Sequence, residues 1–390
     1  MAIVWDSAWA EFGDLFADTL NHLAGFRLQL NASRGWDSIL YEPLVKNRMS
    51  ERSLGSLLEG CEKIQPHLVR YLKARKACLG LEKQMFFDLF IPLQVDAEKI
   101  AYDQAAHFII EQFAKFHPGM GEFARQAFEK GWIEGEIGPE KQFVGYCTHF
   151  PREKESRIFL MYGGAFRHVL TLAHELGHAY HGYVLRNLRP WERKYPMSLA
   201  ETASNFAELV VLGGMQQQAK SISARLALLD GRLMENVINV MEILARYYFE
   251  LDFYRERAKG FVSEERLNEL MVNAQRKVFG EGLDKYSPYN WAFTQHFYQT
   301  QEPFYNFPYT FGRLLSIILY QCAQSEGNSF AASYDALLLD TGRMSVEELL
   351  LHHLGADVTR PDFWDGLESM IAAEVDEFIK GSQSLKNSPA

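Results

Sequence analysis

Apolar positions recur at intervals of three and four from Trp9 to about Lys115, as at Leu54, Leu57, Leu58, Cys61 and Ile64, which places them on one face of a helix. The same period returns from Met120 to Trp132 and dominates from Ala165 to Lys380, with a proline-free stretch from Ser221 to about Lys259. The pattern breaks between Lys141 and Gly164. There, Phe143 to His149 and Arg157 to Tyr162 are β-branched or aromatic runs separated by Pro151-Arg-Glu-Lys-Glu-Ser156, the signature of a β-hairpin. The expectation is a mainly α protein with one small β element. An N-terminal helical region over 1–140 would precede a catalytic region over 141–380 that contains the hairpin 141–164. The Ser-rich end, 381–390, is expected to fray.

Composition narrows the function classes. Hydrophobic residues at 47% and charged residues at 23% exclude a disordered or low-complexity chain, and 390 residues suffice for two subdomains or one large body. A net charge of -10 without a Lys/Arg block argues against nucleic acid as a partner. No apolar run approaches the ~18–20 residues of a membrane helix, and the opening Met-Ala-Ile-Val-Trp-Asp-Ser lacks the form of a signal peptide. A cytoplasmic location with no membrane partner is therefore expected. Cys61, Cys78, Cys147 and Cys322 form no C-x-x-C pair and suit reduced thiols.

The chemistry concentrates in Thr171-Leu-Ala-His174-Glu175-Leu-Gly-His178, an H-E-x-x-H sequence inside the apolar pattern of Phe166, Val169, Leu170, Ala173 and Leu176. Residues i and i+4 share a helix face, so His174 and His178 can converge on one zinc ion at Zn–N distances of ~2.0–2.1 Å. Glu175 then stands beside the ion, where it can take a proton from the activated water. An amphipathic helix that merely contains two histidines is the plain alternative.

A catalytic zinc needs a third protein ligand. His181 is a helical rise of roughly 10 Å from His174, too far to share an ion, and reads as an outer or surface residue. Val184 rules out the extended motif that ends in a third histidine. Carboxylates from a following helix remain, and Pro196 to Glu208 supplies Glu201 and Glu208 on one face. Glu201 is the favoured ligand, although Ser198-x-x-Glu201 also spells a capping box. Glu208 fits an outer carboxylate orienting a histidine, with ligation as its alternative.

With these residues in view, the chain resembles the oligoendopeptidase F group of the thimet oligopeptidase family. The resemblance rests on His174-Glu-Leu-Gly-His178, Glu201-Thr-Ala-Ser-Asn-Phe-Ala-Glu208, and His296-Phe-Tyr followed by Pro303-Phe-Tyr-Asn-Phe-Pro-Tyr-Thr-Phe-Gly312. Gly145-Tyr-Cys147, Asp340-Thr-Gly-Arg-Met344 and Pro361-Asp-Phe-Trp364 add to it. It implies a zinc endopeptidase for short peptides, with an elongated helical body, a deep substrate channel and Glu201 as the metal ligand. Members of the family usually carry a further N-terminal region, which this chain is expected to lack.

The stretch around Pro303 and Pro308 must contain a turn or a helix entrance. Phe297, Phe304, Phe307 and Phe311 read as core. Aromatic spacing alone would put the tyrosines there too, but the resemblance implies that His296, Tyr305 and Tyr309 act on the substrate and leaves Tyr298 undecided.

The expectation is thus an oligopeptide endopeptidase with one Zn2+ per chain held by His174, His178 and Glu201. Glu175 would be general base and then proton donor, with His296, Tyr305 and Tyr309 as further catalytic groups and Glu208 in the outer shell. Oligopeptides are the expected partners, and a homo-oligomer is left open. The alternatives are a metallocarboxypeptidase or dipeptidase on a related scaffold, or a non-catalytic zinc-containing peptide-binding module. An extended peptide is expected to pair with an exposed edge of the strand at 157–162.

Overall fold

The three- and four-residue periodicity is expressed as helices throughout a computed structural model that describes residues 2–93, 99–139, 141 and 145–387. The chain divides into two compact units, each built from separated segments. Residues 1–94, 229–310 and 359–390 make one, and residues 95–228 and 311–358 the other. Neither unit divides from the other at residue 140, where the sequence suggested a boundary. None of the described helices is long and apolar enough to cross a membrane.

In the first unit the long helix Glu51–Cys78 packs on Asp365–Asn387. Its Gly60 leaves room for Trp364, whose ring would lie 2.6 Å from a Cβ at that position, and the Trp364 indole donates to Ser56 Oγ at 3.0 Å. Asp230 is buried but satisfied, accepting from Tyr71 Oη at 2.6 Å and Arg75 Nε at 2.9 Å. The run from Ser221 is continuous helix, with a π turn at Ile238–Glu242 between Ile222–Val237 and Ile243–Arg257. Residues 381–387, expected to fray, continue the last helix. Ile371, Val375 and Phe378 bury one face of its preceding turns.

The second unit surrounds a small sheet and two close-packed helices. Strand β1 (Ile133–Glu134), β2 (Tyr146–Phe150) and β3 (Glu155–Phe159) lie in the order β1-β3-β2. β2 and β3 form the expected hairpin, in register from Tyr146 opposite Phe159 to Phe150 opposite Glu155. Phe143 and Val144, at the start of the expected first strand, lie outside the described residues.

One edge of the segment 157–162 is already occupied by β1, which removes that edge for the expected peptide pairing. Ile158 N donates to Trp132 O at 2.8 Å, Leu160 N to Glu134 O at 3.0 Å and Tyr162 N to Gly135 O at 3.0 Å. Among the described residues β2, not β3, is the hairpin strand with a single partner.

Candidate metal centre

The helix Phe166–Leu185 carries the H-E-x-x-H residues, and Met197–Gln218 carries Glu201 and Glu208. Both belong to the second unit. Leu172, Ala173, Leu176 and Ala179 of the first helix and Leu199, Ala203, Phe206 and Ala207 of the second are fully buried, and the two pack extensively together. Small residues let their backbones approach. A Cβ on Gly177 would lie 2.6 Å from Ala203 O and 2.7 Å from Ser204 Cα. Gly312 permits a similar approach, because a Cβ there would lie 3.0 Å from Glu201 Cβ. Glycines therefore fix where the glutamates stand relative to the histidines.

His174 Nε2 and His178 Nε2 are 3.1 Å apart, and Glu201 Oε2 lies 3.3 Å from the former and 3.5 Å from the latter. A tetrahedral ion with bonds of ~2.0–2.1 Å holds its ligand atoms about 3.3–3.4 Å apart, so these three atoms already form one face of such a tetrahedron. Glu208 sits on the far side of the ring, with its Oε1 2.5 Å from His174 Nδ1. A carboxylate only accepts, so Nδ1 carries the hydrogen, and the neutral ring would turn its Nε2 lone pair to the site. Geometry separates the two glutamates that the sequence left open. Ser204 Oγ donates to Glu201 Oε2 at 2.9 Å and steadies it.

The charge balance also suits a cation. Burial alone pulls the His174 imidazole down, yet Glu201 and Glu208 outweigh it and hold it well above its ordinary value. Burial would raise Glu201, but the two imidazoles hold it well below the usual carboxylate range. Glu175 is only 4% exposed, and its Oε2 is buried without a hydrogen-bond partner among the described residues. Burial raises its pKa, with His174 and His178 pulling the other way. Three carboxyls thus face two imidazoles, and an acceptor is held dry beside them. The residues fit a zinc ion.

His181 is neither a neighbour of these ligand atoms nor a surface residue. It is buried, pairs through Nε2 with Thr341 Oγ1 at 2.8 Å, and stacks on Tyr195 with ring centroids 4.1 Å apart. Burial pushes it down to about 3. A second grouping of Asp340, His352 and His353 could also hold a metal, but Arg343 and His353 already engage its carboxylate.

The first unit gathers His296, Tyr305 and Tyr309. Ring centroids are 4.9 Å apart for His296 and Tyr305, 5.5 Å for His296 and Tyr309, and 5.1 Å for the two tyrosines. Arg246 donates to His296 Nδ1 at 3.1 Å and is itself held by Glu242 Oε1 at 2.6 Å. Burial and the Arg246 charge push His296 down to about 4, so the ring is neutral at pH 7 and its Nε2 carries the donor hydrogen. Sequence reasoning missed Arg246 and Glu242. Their only mark in the chain is an i,i+4 charge pair, which ordinarily reads as a solvated helix face.

A strained turn presents the tyrosines. Phe304 has φ of 54° and is buried, and its N–H donates to Glu250 Oε1 at 3.1 Å while Asn306 Nδ2 donates to Oε2 at 2.7 Å. Asn306 then accepts from Phe307 N at 2.6 Å, where the helix Phe307–Glu326 begins. Burial pushes Glu250 up to about 8. Tyr298 stands differently, with its ring against Phe16 and its hydroxyl buried without a partner among the described residues. Phe297, Phe304, Phe307 and Phe311 are all core.

Comparison with known proteins agrees with the fold. The chain is 28% identical over 284 residues to the chromosomal oligoendopeptidase F of Lactococcus lactis subsp. cremoris, covering 72% of this chain and 46% of that protein. It is 26% identical over 355 residues to an oligoendopeptidase F homolog of Lactococcus lactis subsp. lactis, covering 89% and 58%. The chain thus spans about half the length of the curated relatives it matches. The crystal structure of oligoendopeptidase-F from Enterococcus faecium superposes with a TM-score of 0.69 at 21% identity, over 97% of this chain and 62% of that one. The profile of peptidase family M3 matches residues 4–366, nearly the whole chain and both histidine-bearing clusters, and the chain belongs to that family.

Proposed function

We propose that this chain is a zinc endopeptidase that hydrolyses internal bonds of short oligopeptides. The observation that carries the reading is the triangle of His174 Nε2, His178 Nε2 and Glu201 Oε2, with edges of 3.1 to 3.5 Å, beside a buried and unpartnered Glu175 oxygen. His174, His178 and Glu201 would hold one Zn2+, with Glu208 fixing the His174 ring. Once bound, the ion would act as a Lewis acid toward water and the scissile carbonyl.

Glu175 takes the proton of the attacking water as the C–O bond forms, then delivers it to the amide nitrogen as the C–N bond breaks. The products are a new carboxyl terminus and a free amine. Its dry setting favours this cycle, because a carboxylate stripped of water is a stronger base than a solvated one. His296, Tyr305 and Tyr309 are neutral donors suited to the carbonyl oxygen as it gains charge. The relatives named oligoendopeptidase support peptides as the substrate class.

Metal analysis and cleavage of a quenched-fluorescent peptide library test the reading together. The chain should hold one zinc and cut within the peptides. Glu175→Gln should keep the zinc and lose at least a hundredfold in kcat, the scale of general acid–base catalysis. Near wild-type turnover in that variant would remove Glu175 from the chemistry.

A further inference from the structure

In the second unit, a cavity of about 360 Å³ opens one helical turn beyond His178. His149 and Gly182 form its near wall. The His149 ring lies against Gly182, where a Cβ would come within 2.4 Å of it, and donates or accepts with Ser156 Oγ at 2.9 Å. Phe123, Phe150 and Leu185 supply apolar walls. β2, the hairpin strand with a single partner, ends at Phe150 and so leads into it.

The charge is one-sided. Lys154, Arg186 and Arg193 line the cavity, and among the described residues none of them pairs with a carboxylate. Lys154 Nζ donates to Asn187 Oδ1 at 2.8 Å and Arg193 Nε to Leu188 O at 2.7 Å. Arg186 donates to Tyr183 O and lies 3.5 Å over the Tyr183 ring centroid. The one acidic residue on the wall, Glu155, is held by Arg157 at 2.9 Å. Arginines held flat by ring and backbone contacts are preorganised for a planar anion. The negative end of the helix dipole at Leu185 would repel that anion unless such cations faced it.

We infer that this cavity receives the C-terminal residue of the peptide, with an apolar side chain against the walls and the terminal carboxylate on Arg186 and Arg193. A terminal residue presents both groups at once. An acidic side chain has no apolar group to lay against Phe123 and Leu185, and a peptide amino terminus would meet only like charge. Arg186 is eight residues beyond His178, a rise of about 12 Å. An extended peptide spans that in about three to four residues. The favoured substrates therefore end three or four residues beyond the cleaved bond. The inference rests on the proposed peptidase reading and adds a rule for substrate length and end group.

The test uses the full chain with peptides ending in Phe, as free acid or amide, at two to six residues beyond the cleaved bond. Acid and amide binding to Glu175→Gln is measured by fluorescence anisotropy, alongside wild-type kcat/KM. Acids should be favoured about tenfold at the three- and four-residue spacings, as a charge-assisted bond warrants. Arg186→Gln/Arg193→Gln should bring the acid to the level of the amide. Lys154→Gln, on the hairpin turn, should reduce the preference in part and serves if the double variant does not fold.

Equal acid and amide values in the wild type overturn the inference. So does a preference that survives both sets of substitutions, or one that an internal Glu restores in an amidated peptide. Absence of cleavage with a retained acid preference in binding would remove the peptidase reading and leave the cavity assignment standing.

Discussion

Gly177→Ala probes what holds the proposed metal ligands in place. Alanine is the better helix former, and in an open helix interior the exchange stabilises by about 0.5–1 kcal/mol. At Gly177 the new methyl would lie 2.6 Å from Ala203 O, 2.7 Å from Ser204 Cα and 2.9 Å from Ala207 Cβ. Two of those atoms are backbone and cannot rotate away. The crossing must widen by about 0.8 Å before ordinary contact distance is reached. Overpacking of this kind costs about 1–3 kcal/mol, which exceeds the propensity gain, so the variant should be destabilised. The displacement also exceeds the ~0.2 Å tolerance of metal–ligand distances. Zinc affinity should fall by about tenfold or more, the scale seen when ligands lose their supporting contacts. Urea unfolding of the metal-free chain reads the first effect, and competition with a chelator reads the second. Gly55→Ala is the internal control, because nothing lies within 4 Å of a Cβ there and the substitution should be neutral or stabilising. If Gly177→Ala behaves like Gly55→Ala in both assays, the close crossing does not set the ligand geometry.

Four further substitutions test the proposed roles and the buried Glu250 carboxyl. Glu201→Ala should abolish tight zinc binding, whereas Glu208→Ala should weaken it by about 10–100-fold, and chelator competition would show the reverse order if Glu208 were the ligand. Tyr309→Phe should retain zinc and lower kcat by about 10²–10³ with KM little changed, the loss seen for one oxyanion donor; intact kcat with a lower melting temperature would return Tyr309 to the core. Glu250→Gln should alter the pH dependence of unfolding. The folded carboxyl titrates at about 8, above its unfolded value of ~4.3, so it favours the fold fully at low pH and loses that contribution as pH rises through 8. The wild-type denaturation midpoint should therefore fall relative to the variant between about pH 5 and pH 8, and parallel profiles would show that Glu250 does not titrate in this way.

The helices and the H-E-x-x-H stripe were legible in the sequence because both depend on a period of a few residues. The hairpin was legible for the same reason, whereas β1 spans only Ile133–Glu134 and two residues carry no alternation. That short strand nonetheless covers one edge of 157–162, which the expected peptide pairing did not take into account. The two compact units left no trace in composition. Each closes around segments far apart in the chain, such as Glu51–Cys78 with Asp365–Asn387, and an apolar face does not state its partner.

The glutamates show where sequence reasoning stops at the site. Glu201 and Glu208 lie about two turns apart on one face, so periodicity treats them alike. What distinguishes them is the point at which the two helices cross, set by Gly177 against Ala203, and the close approach of a third helix at Gly312 to Glu201. Neither glycine bears a functional group, and each acts by the side chain it lacks. Arg246 is hidden for a related reason. The π turn at Ile238–Glu242 shifts the helical register just before it, so a face counted at 3.6 residues per turn from Ile222 misplaces the arginine. Its effect is chemical as well as spatial. By donating to Nδ1, Arg246 leaves His296 a neutral donor at Nε2, and a protonated ring would lose that bond and meet the guanidinium charge. The extra backbone residue of the π turn thus helps to place the guanidinium that, after burial, keeps a side chain fifty residues away neutral.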